Sequence, residues 1–262
     1  MGDSFLTSNG LALSRRDWPA AGAARGTVLI VHGLGEHKGR YEQVAATLAA
    51  QGWQVVAYDQ RGQYESQGRD EESAYSLAAF ADDLLEVAAG LGEVHLVGHS
   101  FGGLVAREAV LASGGQGFAS LTLLCSGPGP LPAGHRDKLG AMHAALPQVP
   151  LPVIWDVKEA ADRESGWAPP SVEVGEFMRT RFVSNNPYAL RAKTAILLDT
   201  PDRTDELAAL AAQGFPVGVV YGPHDDAWPL AEQDAVAAAV GTVPVVVAGT
   251  GHSPAAEDPE AA

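Results

Sequence analysis

Apolar residues follow two alternating patterns in the first part of the chain. Short, mainly apolar runs have the length of strands buried on both faces, and they lie at residues 28–31, 53–58, 94–97 and 121–125. Between the runs, apolar residues recur three or four positions apart, as at Leu77, Phe80 and Leu84, which is the spacing of an amphipathic helix. The alternation predicts βαβ units, and therefore a mostly parallel sheet with helices on both of its faces.

The alternation stops between residues 127 and 195. This segment is rich in proline, and its apolar residues have helical spacing at two places, one around Leu139 and Met142 and one around Phe177 and Met178. An irregular helical insertion between two parts of a parallel sheet is expected to cover a site. We therefore call residues 127–195 the cap.

Strand and helix patterns return after the cap. Apolar runs lie at residues 217–221 and 243–247, and residues 231–240 between them have helical spacing. We expect one α/β core, formed by residues 1–126 and 196–262, that the cap interrupts. A length of 262 residues is enough for one such domain with a large apolar core.

A glycine-rich hexapeptide, GHSFGG, directly follows the run at residues 94–97. It places Ser100 between a predicted strand and a helix that is predicted to begin near Phe101. In this setting G-x-S-x-G is typical of a sharp turn that exposes a nucleophilic serine at the carboxyl edge of the sheet, with small residues required at Gly98 and Gly102. A structural glycine turn is the alternative, and the strand–turn–helix setting makes it the weaker one.

Two later loops carry the partners that a nucleophilic serine needs, a base and a carboxylate that orients the base. Two adjacent carboxylates, Asp225 and Asp226, follow an apolar run, and His252 lies in a glycine-containing loop after the last run. Both loops leave the same edge of the predicted sheet, in the chain order that this type of fold requires. We expect Ser100, one of these two aspartates and His252 to form a catalytic triad. His95 and His99, which lie in or beside the preceding strand, are expected to pack or to support the site.

A second glycine-rich loop, HGLGEHKGRY at residues 32–41, follows the first apolar run. Its glycines let backbone N–H groups approach a carbonyl that becomes an oxyanion, and we expect the N–H groups of Leu34 and Phe101 to be the donors. A phosphate-binding loop is the alternative for such a segment. It is rejected because the loop has neither the G-K-[ST] ending nor the G-x-G-x-x-G spacing.

Composition and charge restrict the classes of ligand, the presence of disulfides and metals, and the cellular location that we expect. The formal net charge of −15 opposes binding to nucleic acid or to an anionic membrane through charge. The single cysteine, Cys125, excludes an internal disulfide and a cysteine-based metal cluster. We expect neither a metal nor a cofactor. The start of the chain lacks the pattern of a secretory signal, and no apolar run approaches the ~20 residues that span a bilayer, so we expect a cytoplasmic protein without stable membrane insertion.

The motifs resemble the α/β-hydrolase superfamily, and within it the branch of monoacylglycerol lipases and lysophospholipases. The resemblance extends over about residues 26–259, and it is carried by HGLGEHKGRY (32–41), VAYDQRG (56–62), GHSFGG (98–103), the string G-x-x-D-x-x-x-P (222–229) and GHSP (251–254). It implies an α/β-hydrolase fold with an inserted helical cap. It also implies Ser100 as nucleophile, Asp225 as acid, His252 as base, and Leu34 and Phe101 as oxyanion donors.

One string beside the predicted site departs from the family pattern. The family continues D-x-R-G with H-G-x-S, whereas this chain has Gln63, Tyr64, Glu65 and Ser66. Because the string lies beside the site, the departure bears on the shape of the substrate that the site accepts.

The cap offers apolar side chains that suit an acyl chain. We expect Met142, Trp155, Trp167 and Phe177 to contact the substrate, and the alternative is that they only pack the cap onto the sheet. These apolar residues and the family resemblance together favour a cofactor-free hydrolase that cleaves a small monoacylglycerol- or lysophospholipid-like ester through an acyl-enzyme. The same triad would serve a thioesterase, acyltransferase, peptidase or perhydrolase, and a non-catalytic binding protein of this fold is a weaker alternative.

Overall fold

The core of the protein is one mixed sheet. The computed structural model describes residues 3–7, 10–164, 166, 168–169 and 171–262, and within them the sheet has eight strands in the order β1-β2-β4-β3-β5-β6-β7-β8. The strands are β1 (Asp3–Leu6), β2 (Ala12–Trp18), β3 (Thr27–Val31), β4 (Gln54–Tyr58), β5 (Val94–His99), β6 (Phe118–Leu124), β7 (Val217–Tyr221) and β8 (Val245–Val246). The pairings β1–β2 and β2–β4 are antiparallel, and the others are parallel. A mostly parallel sheet is present as predicted, whereas β1 and β2 were not predicted.

The central strands end at one common edge. β3 is buried along its whole length, and Val31 at its end pairs with Tyr58 of β4 and with Gly98 of β5. Leu124 at the end of β6 pairs with His99. The loops that follow these parallel strands therefore meet at the same edge of the sheet, where open α/β folds hold their ligands.

Ten helices are present in the described residues, and those of the core contact one another in two groups. The helices are α1 (Glu42–Ala50), α2 (Leu77–Ala89), α3 (Phe101–Ser113), α4 (Ala133–Ala145), α5 (Leu151–Glu164), α6 (Val172–Val183), α7 (Pro187–Asp199), α8 (Thr204–Ala212), α9 (Leu230–Ala239) and α10 (Pro254–Glu257), with 3₁₀ turns at Lys38–Tyr41 and Glu72–Ala74. In the core, α2, α3, α8 and α9 contact one another in that order, and α1 contacts α10. Across the described ranges, no helix combines the length and the apolar character that crossing a bilayer requires.

The predicted cap has an apolar cluster of its own. In the described part of the chain it contains α4, α5, α6 and the first part of α7, so the expected boundary at residue 195 falls inside α7. We call its buried residues the cap cluster: Leu146, Leu151, Trp155, Phe182 and Leu190. Leu190 belongs to α7, whose Ala189 and Ala192 join the core of the sheet. Helix α7 therefore links the cap to the α/β core.

The last strand is shorter than predicted. Only Val245 and Val246 of the apolar run at residues 243–247 form β8, and both of these valines are exposed together with Val243. Within the run only Val247 is buried, because β8 lies at the edge of the sheet and exposes its valines.

Candidate active site

Ser100 occupies the sharp turn between β5 and α3. Its backbone has φ 55° and ψ −123°, a conformation that is strained for a residue with a side chain. Close packing explains the glycines around it. A Cβ atom on Gly98 would lie 2.6 Å from the carbonyl oxygen of Gly102, and a Cβ atom on Gly102 would collide with the carbonyl oxygen of Val31. The turn can form only with these two small residues.

Ser100, His252 and Asp225 are joined by hydrogen bonds. Ser100 Oγ lies 2.9 Å from His252 Nε2, and His252 Nδ1 lies 2.7 Å from Asp225 Oδ1. The Asp225 side chain is fully buried, whereas the imidazole of His252 is 26% exposed. The structure therefore brings together the three predicted residues, although they come from loops after β5, β7 and β8. The distances are those that a general base and its orienting acid need.

Three donors hold the carboxylate of Asp225. His252 and the backbone N–H of Ala227 donate to Oδ1, and Gln233 Nε2 donates to Oδ2 at 2.9 Å. Burial alone would raise the pKa of Asp225, but these hydrogen bonds and the charge of His252 outweigh it and hold the pKa below its ordinary value. Asp225 is therefore ionised wherever His252 needs an acceptor. The side chain of the adjacent Asp226 is exposed.

The loop after β3 passes next to the nucleophile. A Cβ atom on Gly33 would lie 3.1 Å from Ser100 Cβ, and a turn closes when Glu36 N–H donates to Gly33 O. Leu34 lies in this turn, and among the described residues its N–H has no hydrogen-bond acceptor. The N–H of Phe101 lies in the first turn of α3, where backbone N–H groups have no intrahelical acceptor. Both predicted donors are therefore available to a ligand oxygen.

A buried polar cluster lies behind His252. It contains His99, which we expected to pack or to support the site, but the pairing of His99 with Glu36 was not predicted. His99 Nε2 donates to the carbonyl oxygen of His252 at 2.7 Å, and His99 Nδ1 lies 3.0 Å from Glu36 Oε2, to which Tyr41 also donates. Burial disfavours a charge on His99, but Glu36 outweighs it and raises the pKa of His99. Burial also opposes ionisation of Glu36, but His99 and Arg40 hold its pKa well below the ordinary value. The resulting ion pair fixes the backbone of His252.

The segment at residues 63–66, which departs from the family pattern, holds the oxyanion loop through a hydrogen bond from Gln63. Gln63 is fully buried, and its Nε2 donates to the carbonyl oxygen of Glu36 at 2.7 Å. Its Oε1 accepts a hydrogen bond from Lys193, a fully buried residue of α7 whose ammonium lies 5.4 Å from the ring centroid of Phe101. Burial, only partly offset by two aspartates, lowers the pKa of Lys193 to about 7. Lys193 thus lies over the ring of Phe101 directly and is connected to the oxyanion loop through Gln63.

The predicted substrate contacts lie at different places in the cap. Met142 packs against both the core of the sheet and the cap cluster. Trp155 lies inside the cap cluster, with its ring centroid 5.6 Å from that of Phe182. Phe177 is 43% exposed, and its ring centroid lies 5.1 Å from that of His37 in the oxyanion loop. Trp167 lies outside the described residues. Phe177 is therefore a contact between the cap and the loop beside Ser100.

A thiol lies next to the triad. The ligand atoms of Cys125, Asp225 and His252 lie within 4.8 Å of one another, a grouping that could hold a metal ion. Burial raises the pKa of the Cys125 thiol, which opposes the thiolate that a metal requires. An ion bound by all three residues would also compete with the hydrogen bond between His252 and Asp225. Metal binding and an intact triad are therefore alternatives at this position.

Comparison with known proteins agrees with this geometry. The sequence profile of the alpha/beta hydrolase family matches residues 28–262, which is most of the chain. The chain belongs to the α/β-hydrolase family. This membership confirms the predicted fold and the resemblance to the superfamily.

Relatives of known name match only part of the chain. A monoglyceride lipase of Homo sapiens is 30% identical over 126 residues, which cover 46% of this chain and 41% of that protein. An uncharacterised abhydrolase domain-containing protein of Dictyostelium discoideum is 41% identical over 105 residues, 39% of this chain and 11% of that protein. The chain thus spans less than half the length of these relatives.

The fold likeness covers nearly the whole chain. A carboxylesterase structure from Nitrososphaera gargenis matches this protein with a TM-score of 0.80 at 19% identity, over 98% of this chain and 94% of that chain. At this identity the likeness describes the fold alone, and the chemistry has to be argued from the site.

Proposed function

We propose that this protein is a cofactor-free serine hydrolase that cleaves a small carboxylic ester through an acyl-enzyme. The observation that carries the proposal is the hydrogen-bonded series Ser100–His252–Asp225, with distances of 2.9 and 2.7 Å. The similarity to a monoglyceride lipase favours esters of the monoacylglycerol or lysophospholipid type.

Acylation begins with proton transfer from the nucleophile. His252 Nε2 accepts the proton of Ser100 Oγ while that oxygen attacks the ester carbonyl. Asp225 accepts the hydrogen bond of His252 Nδ1–H, which keeps Nε2 unprotonated before attack and stabilises the imidazolium afterwards. The N–H groups of Leu34 and Phe101 bind the oxyanion. His252 then protonates the departing alcohol, and the acyl group stays on Ser100.

Deacylation uses the same groups with water in place of the alcohol. His252 Nε2 takes a proton from the water as its oxygen attacks the acyl carbonyl, and the same two N–H groups bind the second oxyanion. When the intermediate collapses, the carboxylic acid leaves and the proton returns to Ser100 Oγ. The strained backbone at Ser100 keeps its oxygen at one position through both steps.

The cap supplies the proposed acyl contacts. Leu34 packs against the cap cluster, so the oxyanion loop borders an apolar surface of the cap. Met142, Trp155 and Phe177 remain the proposed contacts of the acyl chain, together with Trp167. An apolar surface next to convergent polar groups is the usual form of a small-molecule site.

A substrate panel tests this function. We expect the wild type to hydrolyse p-nitrophenyl esters and monoacylglycerols with a higher kcat/KM than acyl thioesters. We expect Ser100→Ala to lower kcat by at least ~10³-fold, because the nucleophile is removed. Ser113→Ala, at the other end of α3, is the matched control and should keep wild-type activity. A preference for thioesters, or full activity in Ser100→Ala, would contradict the proposal.

A further inference from the structure

Arg181 faces the loops beside Ser100. It lies four residues after Phe177 of α6, whose ring centroid is 5.1 Å from that of His37. It lies four residues before Asn185, whose Oδ1 accepts a hydrogen bond from the backbone N–H of Tyr64 at 3.3 Å. Phe177 and Arg181, four residues apart within α6, lie on the same side of the helix, and Asn185 lies two residues beyond its end. Arg181, between two residues that contact these loops, therefore points toward the same loops.

The guanidinium of Arg181 is unpaired. Its Nε is buried without a hydrogen-bond partner, and in the described ranges no hydrogen bond or ion pair involves this side chain. Arg61, which is also buried, instead makes two hydrogen bonds of 2.6 Å to Asp83. Burial lowers the pKa of Arg181, but a guanidinium stays charged in proteins. A partly buried cation without an acceptor is unfavourable unless an anion binds to it.

The surroundings of Arg181 carry an excess of positive charge. Glu36 is the carboxylate that attracts Arg181, but it is already paired with His99 and with Arg40. Burial lowers the pKa of His37 to about 4, so His37 adds no charge at neutral pH. The charges of two guanidinium groups thus face one carboxylate, which in the described part of the chain is paired only with Arg40 and His99, although the net charge of the chain is −15.

This positive region lies on the cap side of the loop that approaches Ser100. Phe182, the residue after Arg181, belongs to the cap cluster against which Leu34 packs. Gly33, next to Leu34, approaches Ser100 so closely that an added Cβ atom would lie 3.1 Å from Ser100 Cβ. An anion at Arg181 would therefore lie beside the oxyanion loop, on the side of the cap.

We propose that Arg181 binds an anionic group, a carboxylate or a phosphate, of the ester substrate. The inference rests on the proposed function and narrows its substrate class to esters with a negative charge on the acyl or the alcohol part. The planar guanidinium matches two oxygens of a carboxylate or phosphate with parallel hydrogen bonds. Such an anion would satisfy the donors that the chain itself leaves unpaired.

Two matched pairs of esters test the proposal. p-Nitrophenyl hydrogen adipate carries a carboxylate on the acyl side, and p-nitrophenyl hexanoate is its neutral counterpart. Hexanoyl glycerol phosphate carries the charge on the alcohol side, and hexanoyl glycerol is neutral. We would measure kcat/KM for the wild type, Arg181→Met, Arg181→Lys and Arg179→Met. Arg179 lies on the same helix with a side chain that is 48% exposed, so it controls for the overall charge.

We expect the wild type to prefer the charged member of one pair by about tenfold or more. Arg181→Met should lose that preference and keep its rate on the neutral ester, Arg181→Lys should retain part of it, and Arg179→Met should resemble the wild type. If the preference is found in the adipate pair, the charge lies on the acyl side of the substrate, and if it is found in the glycerol phosphate pair, the charge lies on the alcohol side. Equal rates on both members of both pairs in the wild type, or a preference that survives in Arg181→Met, would overturn the proposal.

A binding measurement separates this inference from the proposed function. Calorimetric titration of Ser100→Ala with hexanoyl glycerol phosphate and with the hydrogen adipate ester does not require turnover. The Kd of at least one of these two esters should rise about tenfold when Arg181→Met is added. If that rise occurs and the wild type hydrolyses none of the esters, the anion site stands and the proposed function fails. If esters are hydrolysed and the Kd does not change, the anion site fails and the proposed function stands.

Discussion

At the scale of single residues, His252 contacts only one of two adjacent aspartates in the described structure. Asp225 Oδ1 lies 2.7 Å from His252 Nδ1, whereas the side chain of Asp226 is exposed. The family spacing G-x-x-D-x-x-x-P, counted from Gly222 to Pro229, already favoured Asp225. The geometry agrees with that count, because neighbouring side chains in an extended loop point in opposite directions.

Exchanging each carboxylate for an amide distinguishes the two. Asp225→Asn should lower kcat by ~10⁴, because the amide favours the wrong tautomer of His252 and does not stabilise the imidazolium. Asp226→Asn should lower kcat by about tenfold or less, since an exposed loop residue supplies at most local hydrogen bonds. The measurement is kcat on one p-nitrophenyl ester for both variants. A larger loss in Asp226→Asn would assign the acid to the other residue.

The sequence predicted which residues form the candidate catalytic site, because their chemistry requires a specific order and position. It did not predict the supporting contacts between distant residues. Ser100, Asp225 and His252 could be found because their chain order and loop positions are specific. The contact of His99 with the His252 carbonyl joins residues 153 positions apart. Glu36 gave no signal of its pairing with His99 either, since that pairing depends on the tertiary fold.

At the scale of elements, α7 connects the cap to the oxyanion segments. Lys193 on this helix binds Gln63, which in turn binds the carbonyl oxygen of Glu36, and its ammonium also lies over the ring of Phe101. A charge in this position is opposed by burial, which lowers the pKa of Lys193 to about 7. The ordinary pKa of lysine is about 10.4. The folded protein therefore loses this proton at a lower pH than the unfolded chain does.

This difference predicts how stability depends on pH. Between about pH 7 and pH 10 the unfolded chain binds a proton that the folded protein has released, so the free energy of unfolding rises with pH by up to ~1.4 kcal/mol per unit. Lys193→Met removes this contribution and leaves Gln63 without its donor, a cost that is the same at every pH. Urea unfolding of both proteins at pH 7 and pH 9 should show the wild type gaining about 2 kcal/mol relative to the variant. A constant difference would show that Lys193 keeps its ordinary pKa in the fold.

Elements were predictable where one clear pattern covers them. β3 is buried throughout, and it coincides with a continuous apolar run. β2 was missed because its middle holds Arg15, Arg16 and Asp17, which break the apolar signal of an antiparallel strand. α5 was missed because Val153 and Val157 are exposed on its outer side, so its apolar residues do not follow one helical stripe.

At the scale of the whole molecule, the topology of the sheet assembles the site. Ser100, Asp225 and His252 follow β5, β7 and β8, and the oxyanion loop follows β3, so all of them reach one edge of a parallel sheet. The sequence predicted this convergence because alternating strand and helix patterns imply parallel strands. It did not predict the packing of the cap, since the cap cluster depends on contacts among helices rather than on one periodic pattern.

Intact-mass spectrometry after reaction with a fluorophosphonate tests the central claim, covalent catalysis at Ser100, most directly. We predict that the wild type gains the mass of a single phosphonyl group, that peptide analysis locates it on Ser100, and that Ser100→Ala gains none. Fluorophosphonates react with a serine only when a base activates it, so the label also reports on His252. Labelling of Ser100→Ala at the wild-type rate, or an unlabelled wild type, would contradict the account.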